Sequence, residues 1–187
     1  MATTTGEARA DTAQPASLQL PGIVLGVGMG GFLDGILLHQ LLRWHHMLSS
    51  TNEDRIGVKY YNPRTVPGLE MNTLWDGIFH TVCWLAVLLG LAILYSRVTH
   101  NRLLVWKSRV LWGWMFVGWG LFNLVEGVLD HHVLGIHHVY TGDGQVWWDI
   151  GFLVLGALLV TGGYLLQRSG RPLDPDATAE RYEGRPT

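Results

Sequence analysis

Two stretches of the sequence repeat one pattern, DGILLHQLLRWHH at residues 34–46 and EGVLDHHVLGIHH at residues 126–138. They align without a gap, six of the thirteen positions are identical, and one acid and three histidines fall in register. A second matching pair lies further along each half, WDGIF at residues 75–79 and WDIGF at residues 148–152. Chance similarity is common between apolar helices but rare for polar residues in register. The pattern therefore indicates a duplicated helical hairpin.

Four apolar segments contain these motifs, and each is long enough to cross a bilayer as a helix, which takes about 20 residues. They lie at about residues 21–47, 74–95, 110–139 and 146–166. The chain has 187 residues, 48% of them hydrophobic and only 15% charged, which suits one membrane domain. The predicted fold is all-α, a bundle of four transmembrane helices built from two repeated helical hairpins.

The membrane domain is expected to span residues 21–168, with repeat halves at about 21–96 and 110–167. Both halves start on the same side of the membrane, so a rotation near a half-turn about the membrane normal should relate them. The tails, residues 1–20 and 169–187, are rich in small, polar and charged residues and are predicted to be disordered. The first tail has no basic region of the kind that precedes a cleaved signal peptide.

The basic residues predict the orientation. The loop between the second and third helices carries Arg97, Arg102, Lys107 and Arg109, whereas the loop between the third and fourth has neither Lys nor Arg. The positive-inside rule then predicts that both termini lie in the cytoplasm and that the first and third loops lie outside. A net charge of −2 and the absence of a basic stripe give no reason to expect nucleic acid binding.

Ionisable residues collect in the outer half of the predicted helices. With a rise of ~1.5 Å per residue, His39, His80 and His131 fall at one level, and Asp34 and Glu126 lie deeper. A second, shallow tier holds the remaining polar residues near the outer surface. The first helix is predicted to continue to about residue 47, so His39 and His46 lie ~10 Å apart and cannot ligate one ion. The shallow tier comprises Asp76, Asp149, His45, His46, His137 and His138.

Buried charge in a membrane is costly, so these residues need partners. Imidazoles with carboxylates suit copper, zinc, iron or manganese, and the sequence predicts a transition-metal site. A carboxylate one turn from a histidine, as with Asp76 and His80, either joins the metal or holds the ring. The alternative without metal is a neutral network of protonated acids and histidines. The candidate ligands are His39, His80, His131, Asp76, Asp130, Asp149, His45, His46, His137 and His138.

Other polar and small residues have structural interpretations. His132 and His100 are expected to be incidental, and Cys83 is expected to be a small apolar filler. The glycines Gly22, Gly26 and Gly30 recur at every fourth residue, which allows close packing of helices.

If the histidines bind a metal, protons should compete with the ion for them. Metal binding should then weaken as the pH falls through about 6 to 5, because unperturbed histidine titrates near ~6.5.

The motifs around Asp34, His39 and Glu126, together with His45-His46 and His137-His138, resemble an uncharacterised bacterial family of four-helix membrane proteins that is defined as a domain of unknown function. The resemblance covers about residues 21–167. It implies an inner-membrane protein, and its genes often lie near those for haem-copper oxidase assembly factors. That context points to copper or the respiratory chain, with oxidase assembly proteins as partners and the lipid bilayer as surroundings.

Three functions remain open from the sequence. The first is metal handling on the outer face, delivering or holding copper for a respiratory oxidase. The second is a membrane metalloenzyme using zinc or non-haem iron, with Glu126 or Asp34 as the catalytic base. The third is a haem protein with axial histidines, which the many interior acids disfavour. A delivery role predicts exchangeable metal near the surface, whereas an enzyme predicts a tightly held metal beside a substrate cleft.

Overall fold

A computed structural model describes residues 17–50, 61–100 and 107–170. These residues form four helical rods. The first is α1, Gln19–Asp34, which continues as a π-helix over Gly35–Leu41. The second is α2, Val66–His100; the third is α3, Ser108–Glu126, which continues as a π-helix over Gly127–Val133; the fourth is α4, Gln145–Arg168. The described residues contain no strand, and the all-helical prediction is confirmed.

Three rods in the described part of the chain are long and apolar enough to cross a membrane: Gln19–Leu41, Val66–His100 and Gln145–Arg168. Large apolar side chains cover the outer faces of α2 and α4, as expected for helices facing lipid. The third rod is not one of these three, and it contains tryptophans, glycines, Asn123 and Glu126 among its apolar residues. Its place as a fourth membrane span remains a prediction.

The rods are arranged in a row. Helices α1 and α3 lie side by side at its centre, α2 packs against α1, and α4 packs against α3. Across the described ranges, the backbone of α2 lies away from the backbones of α3 and α4, although the Phe79 ring of α2 contacts the Phe122 ring of α3. The row places the motif-bearing helices α1 and α3 next to each other. The bundle of two repeated helical hairpins expected from the sequence remains a prediction.

Glycines permit the close approach of the two central helices. A Cβ atom on Gly26 would lie 2.0 Å from the Met115 carbonyl oxygen, and one on Gly118 would lie 2.2 Å from the Ile23 carbonyl oxygen. Gly22 and Gly30 likewise face Trp114 and Trp119 at distances too short for a side chain. The packing role expected for Gly22, Gly26 and Gly30 is confirmed.

Both central rods end earlier than expected. The first ends at Leu41 and not near residue 47, and the third ends at Val133 and not near residue 139. Soon after each end one residue takes a left-handed conformation, Arg43 with φ 53° and Gly135 with φ 59°. Such a residue stops a helix and turns the chain.

The chain that follows each helix end folds over the bundle. Residues 42–50 and 134–141 run beside each other, and we call them together the cap. The Ser50 amide donates to the Ile136 carbonyl at 2.9 Å, and the Thr141 amide donates to the Trp44 carbonyl at 3.2 Å. The cap therefore joins the two halves of the chain directly above the ends of α1 and α3.

Candidate metal centre

Four imidazoles meet where the cap covers the ends of α1 and α3, two from the helices and two from the cap itself, and we call them the histidine cluster: His39, His45, His131 and His137. The ring centroids of His39 and His45 are 4.4 Å apart, those of His45 and His137 are 4.7 Å apart in nearly parallel planes, and those of His131 and His137 are 4.9 Å apart. Their exposed fractions are 0%, 2%, 3% and 0% in chain order. The cluster takes two histidines from each motif.

Three of these rings are oriented through Nδ1. The Nδ1 atom of His45 donates to the Val139 carbonyl at 2.8 Å, and that of His137 donates to the Met47 carbonyl at 3.0 Å. The Nδ1 atom of His39 lies 2.9 Å from Asp76 Oδ1. A proton fixed on Nδ1 leaves Nε2 with a free lone pair, which is the arrangement of a metal-binding histidine. Each half of the chain supplies the carbonyl that orients a ring of the other half.

Several buried atoms at this position have no hydrogen-bond partner. They are the Nε2 atoms of His39, His45 and His131 and one oxygen each of Asp34 and Glu126. Asp34 Oδ2 lies 3.1 Å from His39 Nε2, within ion-pair distance but without hydrogen-bond geometry. A buried polar atom without a partner costs roughly 1–3 kcal/mol. The concentration of such atoms in one place indicates a site where a bound cation would supply the missing partner.

Two overlapping groups have ligand atoms that all lie within 4.8 Å of one another. One consists of His39, His45 and His137, and the other of Glu126, His131 and His137. Because His137 uses Nδ1 for the Met47 carbonyl, its Nε2 can serve only one ion at a time. Glu126 Oε1 lies 3.3 Å from that Nε2. The donor set of imidazoles and carboxylates fits zinc, iron, copper or manganese.

The carboxylates of Asp76 and Asp149 bind histidine rings and cap amides at the cluster. The carboxylate of Asp76 accepts from His39 Nδ1, from His46 Nδ1 at 2.7 Å and from the Met47 amide at 2.9 Å. The carboxylate of Asp149 accepts from His138 Nδ1 at 2.7 Å and from the Val139 amide at 3.0 Å, and His131 Nδ1 lies 3.4 Å from it. The sequence left open whether such a carboxylate ligates the metal or orients a histidine ring. These hydrogen bonds support orientation of the rings.

The remaining candidates lie around the cluster. His80 is half-buried, and its Nδ1 donates to the Asp76 carbonyl at 2.6 Å while Nε2 has no partner. Asp130 is half-buried. Neither belongs to the two groups of converging ligand atoms in the described residues. Metal ligation by His80 and Asp130 therefore remains a prediction.

The two tiers expected from the sequence are wrong for His45 and His137. The sequence predicts both near the outer surface, but they lie in the buried cluster because α1 and α3 end early and the chain turns back. His39 and His46 likewise meet on one carboxylate, although a continuous helix would separate them. In the sequence, Gly135 indicates the early end of the third helix, since glycine often ends a helix in the left-handed conformation. No such signal marks Arg43.

Sequence reasoning also passed over Asn72, which is fully buried and supports the cap. Its Oδ1 accepts from the Leu48 amide at 2.9 Å, and its Nδ2 donates to the Tyr61 carbonyl at 2.7 Å and the Gly68 carbonyl at 2.9 Å. Other expectations agree with the packing. His132 is exposed, and Cys83 is buried with its sulfur against Gly31.

Burial favours the neutral forms of His45 and His137. Loss of hydration lowers the pKa of His45 from 6.5 to about 4, and the neighbouring His39 adds to the effect. The pKa of His137 falls well below 6.5 for the same reason, reinforced by His45, His131 and His39. A neutral imidazole is the form that ligates metals, so both rings are ready for an ion at neutral pH.

The fold and the site define a helical membrane protein with a buried cluster of histidines and carboxylates that could hold a metal ion. Residues 21–170 match the family described as "Predicted membrane protein (DUF2243)", and the chain belongs to this family. The resemblance to a membrane-protein family defined as a domain of unknown function is thereby confirmed. No curated protein and no solved structure matched the chain significantly.

Proposed function

We propose that this protein is an integral membrane metalloprotein that holds one or two transition-metal ions in the histidine cluster. The observation that carries the proposal is the convergence of unpartnered, buried Nε2 and carboxylate oxygen atoms beneath the cap. His39, His45 and His137 would hold one ion, and Glu126 with His131 would complete or extend the site. Bound there, the ion would supply Lewis-acid or redox chemistry.

The burial of the cluster favours a retained metal over a delivered one. His39 and His137 are fully buried, and the cap that covers them is hydrogen-bonded across both halves. Exchange with a partner such as an oxidase assembly protein would require the cap to open. Copper handling for the respiratory chain is therefore the less supported role, and a metalloenzyme is better supported because a cavity reaches Asp34 beside the cluster.

A haem is disfavoured by the contacts between the rings. His45 and His137 stack at 4.7 Å, and His39 packs edge-on against His45 at 4.4 Å. A porphyrin between axial histidines would need the space that the neighbouring rings now fill.

Elemental analysis of the detergent-purified protein tests the proposal directly. We expect a transition metal at a stoichiometry near one or two per chain. Removal of the metal with a chelator should lower the melting temperature, because a ligand bound only to the folded state stabilises that state. Re-addition of the metal should restore it. An unchanged melting curve after verified metal removal would instead favour the neutral polar network.

The lowered pKa of His45 sets the pH range of metal binding. Protons compete with the ion for His45 only near its folded pKa of about 4. We therefore expect metal content to persist to about pH 5 and to fall as the pH approaches 4, below the range expected for an unperturbed histidine. Metal retained after equilibrium dialysis at each pH measures this. Loss of half the metal at about pH 6 from a protein that is still folded would contradict the assignment of His45.

The same shift makes the metal-free protein sensitive to acid. In the unfolded chain His45 is protonated below about pH 6.5, its ordinary pKa. In the folded protein it stays neutral down to about pH 4. Between these values the unfolded state binds more protons, so stability is unaffected above 6.5 and falls as the pH drops toward 4. Melting curves of the chelated protein across this range should show the decline.

We also propose that the two halves arose by duplication and share one orientation. The π-helices Gly35–Leu41 and Gly127–Val133 fall at the same positions of the two aligned motifs, as do Arg43 and Gly135. The supporting contacts also occur in pairs, with Asp76 and Met47 matched by Asp149 and Val139. With both termini cytoplasmic, reporter fusions at Gly142 and at the C-terminus should report the outside and the cytoplasm, respectively. Matching sides would contradict the model of four membrane-spanning helices.

A further inference from the structure

A cavity of about 370 Å³ lies between α1 and α4, next to the histidine cluster. Its walls are mainly apolar and aromatic, with Leu33 from α1, Leu37 from the π-helix that continues it, and Phe152 and Leu155 from α4. The indoles of Trp44 and Trp148 also line it, with ring centroids 4.8 Å apart. A cavity of this size and lining is typical of a site for a small apolar ligand.

The cavity also has a polar end. Asp34 and Asn123 both line it, and they are 5% and 2% exposed. Asn123 Oδ1 and Asp34 Oδ2 are buried hydrogen-bond acceptors without a partner. Asp34 Oδ2 also lies 3.1 Å from His39 Nε2, so this end of the cavity adjoins the histidine cluster. A ligand that completes these acceptors must carry a donor on an otherwise apolar body.

We propose that this cavity binds an apolar, bilayer-soluble molecule that bears a hydroxyl group, which donates to Asn123 Oδ1. The apolar body would fill the space between the indoles and the leucines. The binding site does not depend on a bound metal. Its use as the substrate site of a metal centre rests on the proposed function, because the hydroxyl would lie beside the ligand atoms of that centre.

The sequence explains why the cavity forms on this side of the molecule. In the register of the two motifs, Gly30 corresponds to Phe122. The Phe122 ring packs against Phe79 with centroids 6.1 Å apart, and so occupies the corresponding space in the other half. Gly30 has no side chain to do so and lies against Trp119. The cavity is thus a specific departure from the duplicated pattern.

A matched pair of probes tests whether the site recognises a donor. 2-Naphthol carries a hydroxyl on an apolar body, and its methyl ether keeps the ring but cannot donate. Binding is measured by equilibrium dialysis against the protein in lipid nanodiscs, with empty nanodiscs subtracted. We expect saturable binding of naphthol and binding of the ether that is weaker by about tenfold or more, because the ether leaves buried acceptors unpartnered.

Two variants locate the site. Asn123→Leu removes one acceptor and should weaken naphthol binding toward the level of the ether, with ether binding unchanged. Gly151→Phe should abolish the binding of both probes, because Gly151 lines the cavity and a side chain there meets no atom within 4 Å of its Cβ. Gly162→Phe is the control on the same helix, since it is equally unobstructed and does not line the cavity. It should bind as the native protein does.

The outcomes separate this inference from the proposed function. Equal binding of the two probes, or no effect of Asn123→Leu, would show that the cavity does not recognise a hydrogen-bond donor. Either result would overturn the proposal. Binding unaffected by Gly151→Phe, or no saturable binding above empty nanodiscs, would overturn it too. Metal content is measured on the same samples. A protein without metal that still binds naphthol through Asn123 would support the cavity site while refuting the metalloprotein.

Discussion

Replacing His137 with alanine is expected to abolish stoichiometric metal binding, with affinity falling by about a hundredfold or more. The variant removes the one residue that belongs to both groups of converging ligand atoms. It also leaves Glu126 Oε1 without its hydrogen-bond partner, His137 Nε2, which lies 3.3 Å away. Loss of even a supporting residue of a metal site commonly reduces affinity by about 10–100-fold, so loss of a shared ligand should cost more.

His132→Ala is the matched control for this measurement. His132 is also in the second motif, but it is exposed and its Nδ1 donates to the Gly127 carbonyl within its own helix. Metal content should match that of the native protein. Cooperative melting of chelated His137→Ala near the temperature of the chelated native protein would show that the fold survives. Full metal retention by His137→Ala, or equal loss from both variants, would remove the support for ligation by the cluster.

Replacing Gly26 with alanine should destabilise the protein by about 3 kcal/mol, near the upper end of the cost of overpacking. The added Cβ would lie 2.0 Å from the Met115 carbonyl oxygen and 2.8 Å from its carbonyl carbon. Both are main-chain atoms of α3, so no side chain can rotate away. The two central helices must separate, and the cap and the cluster that join their ends would be disturbed with them.

Gly77→Ala provides the same substitution at an open position. Gly77 lies within α2, and a Cβ there meets no atom within 4 Å. Alanine is favoured over glycine in a helix by roughly 0.5–1 kcal/mol, so this variant should be slightly more stable than the native protein. The free energy of unfolding, measured by titration with a denaturing detergent, compares the two. Equal stability of the two variants would contradict the close contact between α1 and α3.

The position of the cap links stability to the proposed chemistry. Leu48 is held by Asn72, and Met47 and Val139 each donate an amide to a supporting aspartate. The carbonyls of Met47 and Val139 in turn orient His137 and His45. The same short segments therefore close the site, orient two of its ligands and connect the halves. A change that loosens the cap should weaken metal binding and stability together.

Much of the fold followed from the sequence alone because it depends on local patterns. Apolar segments of membrane length predicted the helices, and the spacing of Gly22, Gly26 and Gly30 predicted where helices meet. The register of the two motifs predicted that His39 and His131 hold equivalent places. The cost of burying charge in a membrane predicted that the acids and histidines would gather, as they do.

The tertiary structure alone decided which residues form the centre. An unbroken helix would carry His45 and His137 to the surface, but the π-helical turns and the left-handed Arg43 and Gly135 return them to the interior. The groups that orient these rings, the carbonyls of Val139 and Met47, lie more than 89 residues away along the chain. Helical periodicity describes neighbours within a few turns and carries no information about such partners. The row of helices and the crossing of the cap bring these distant groups together.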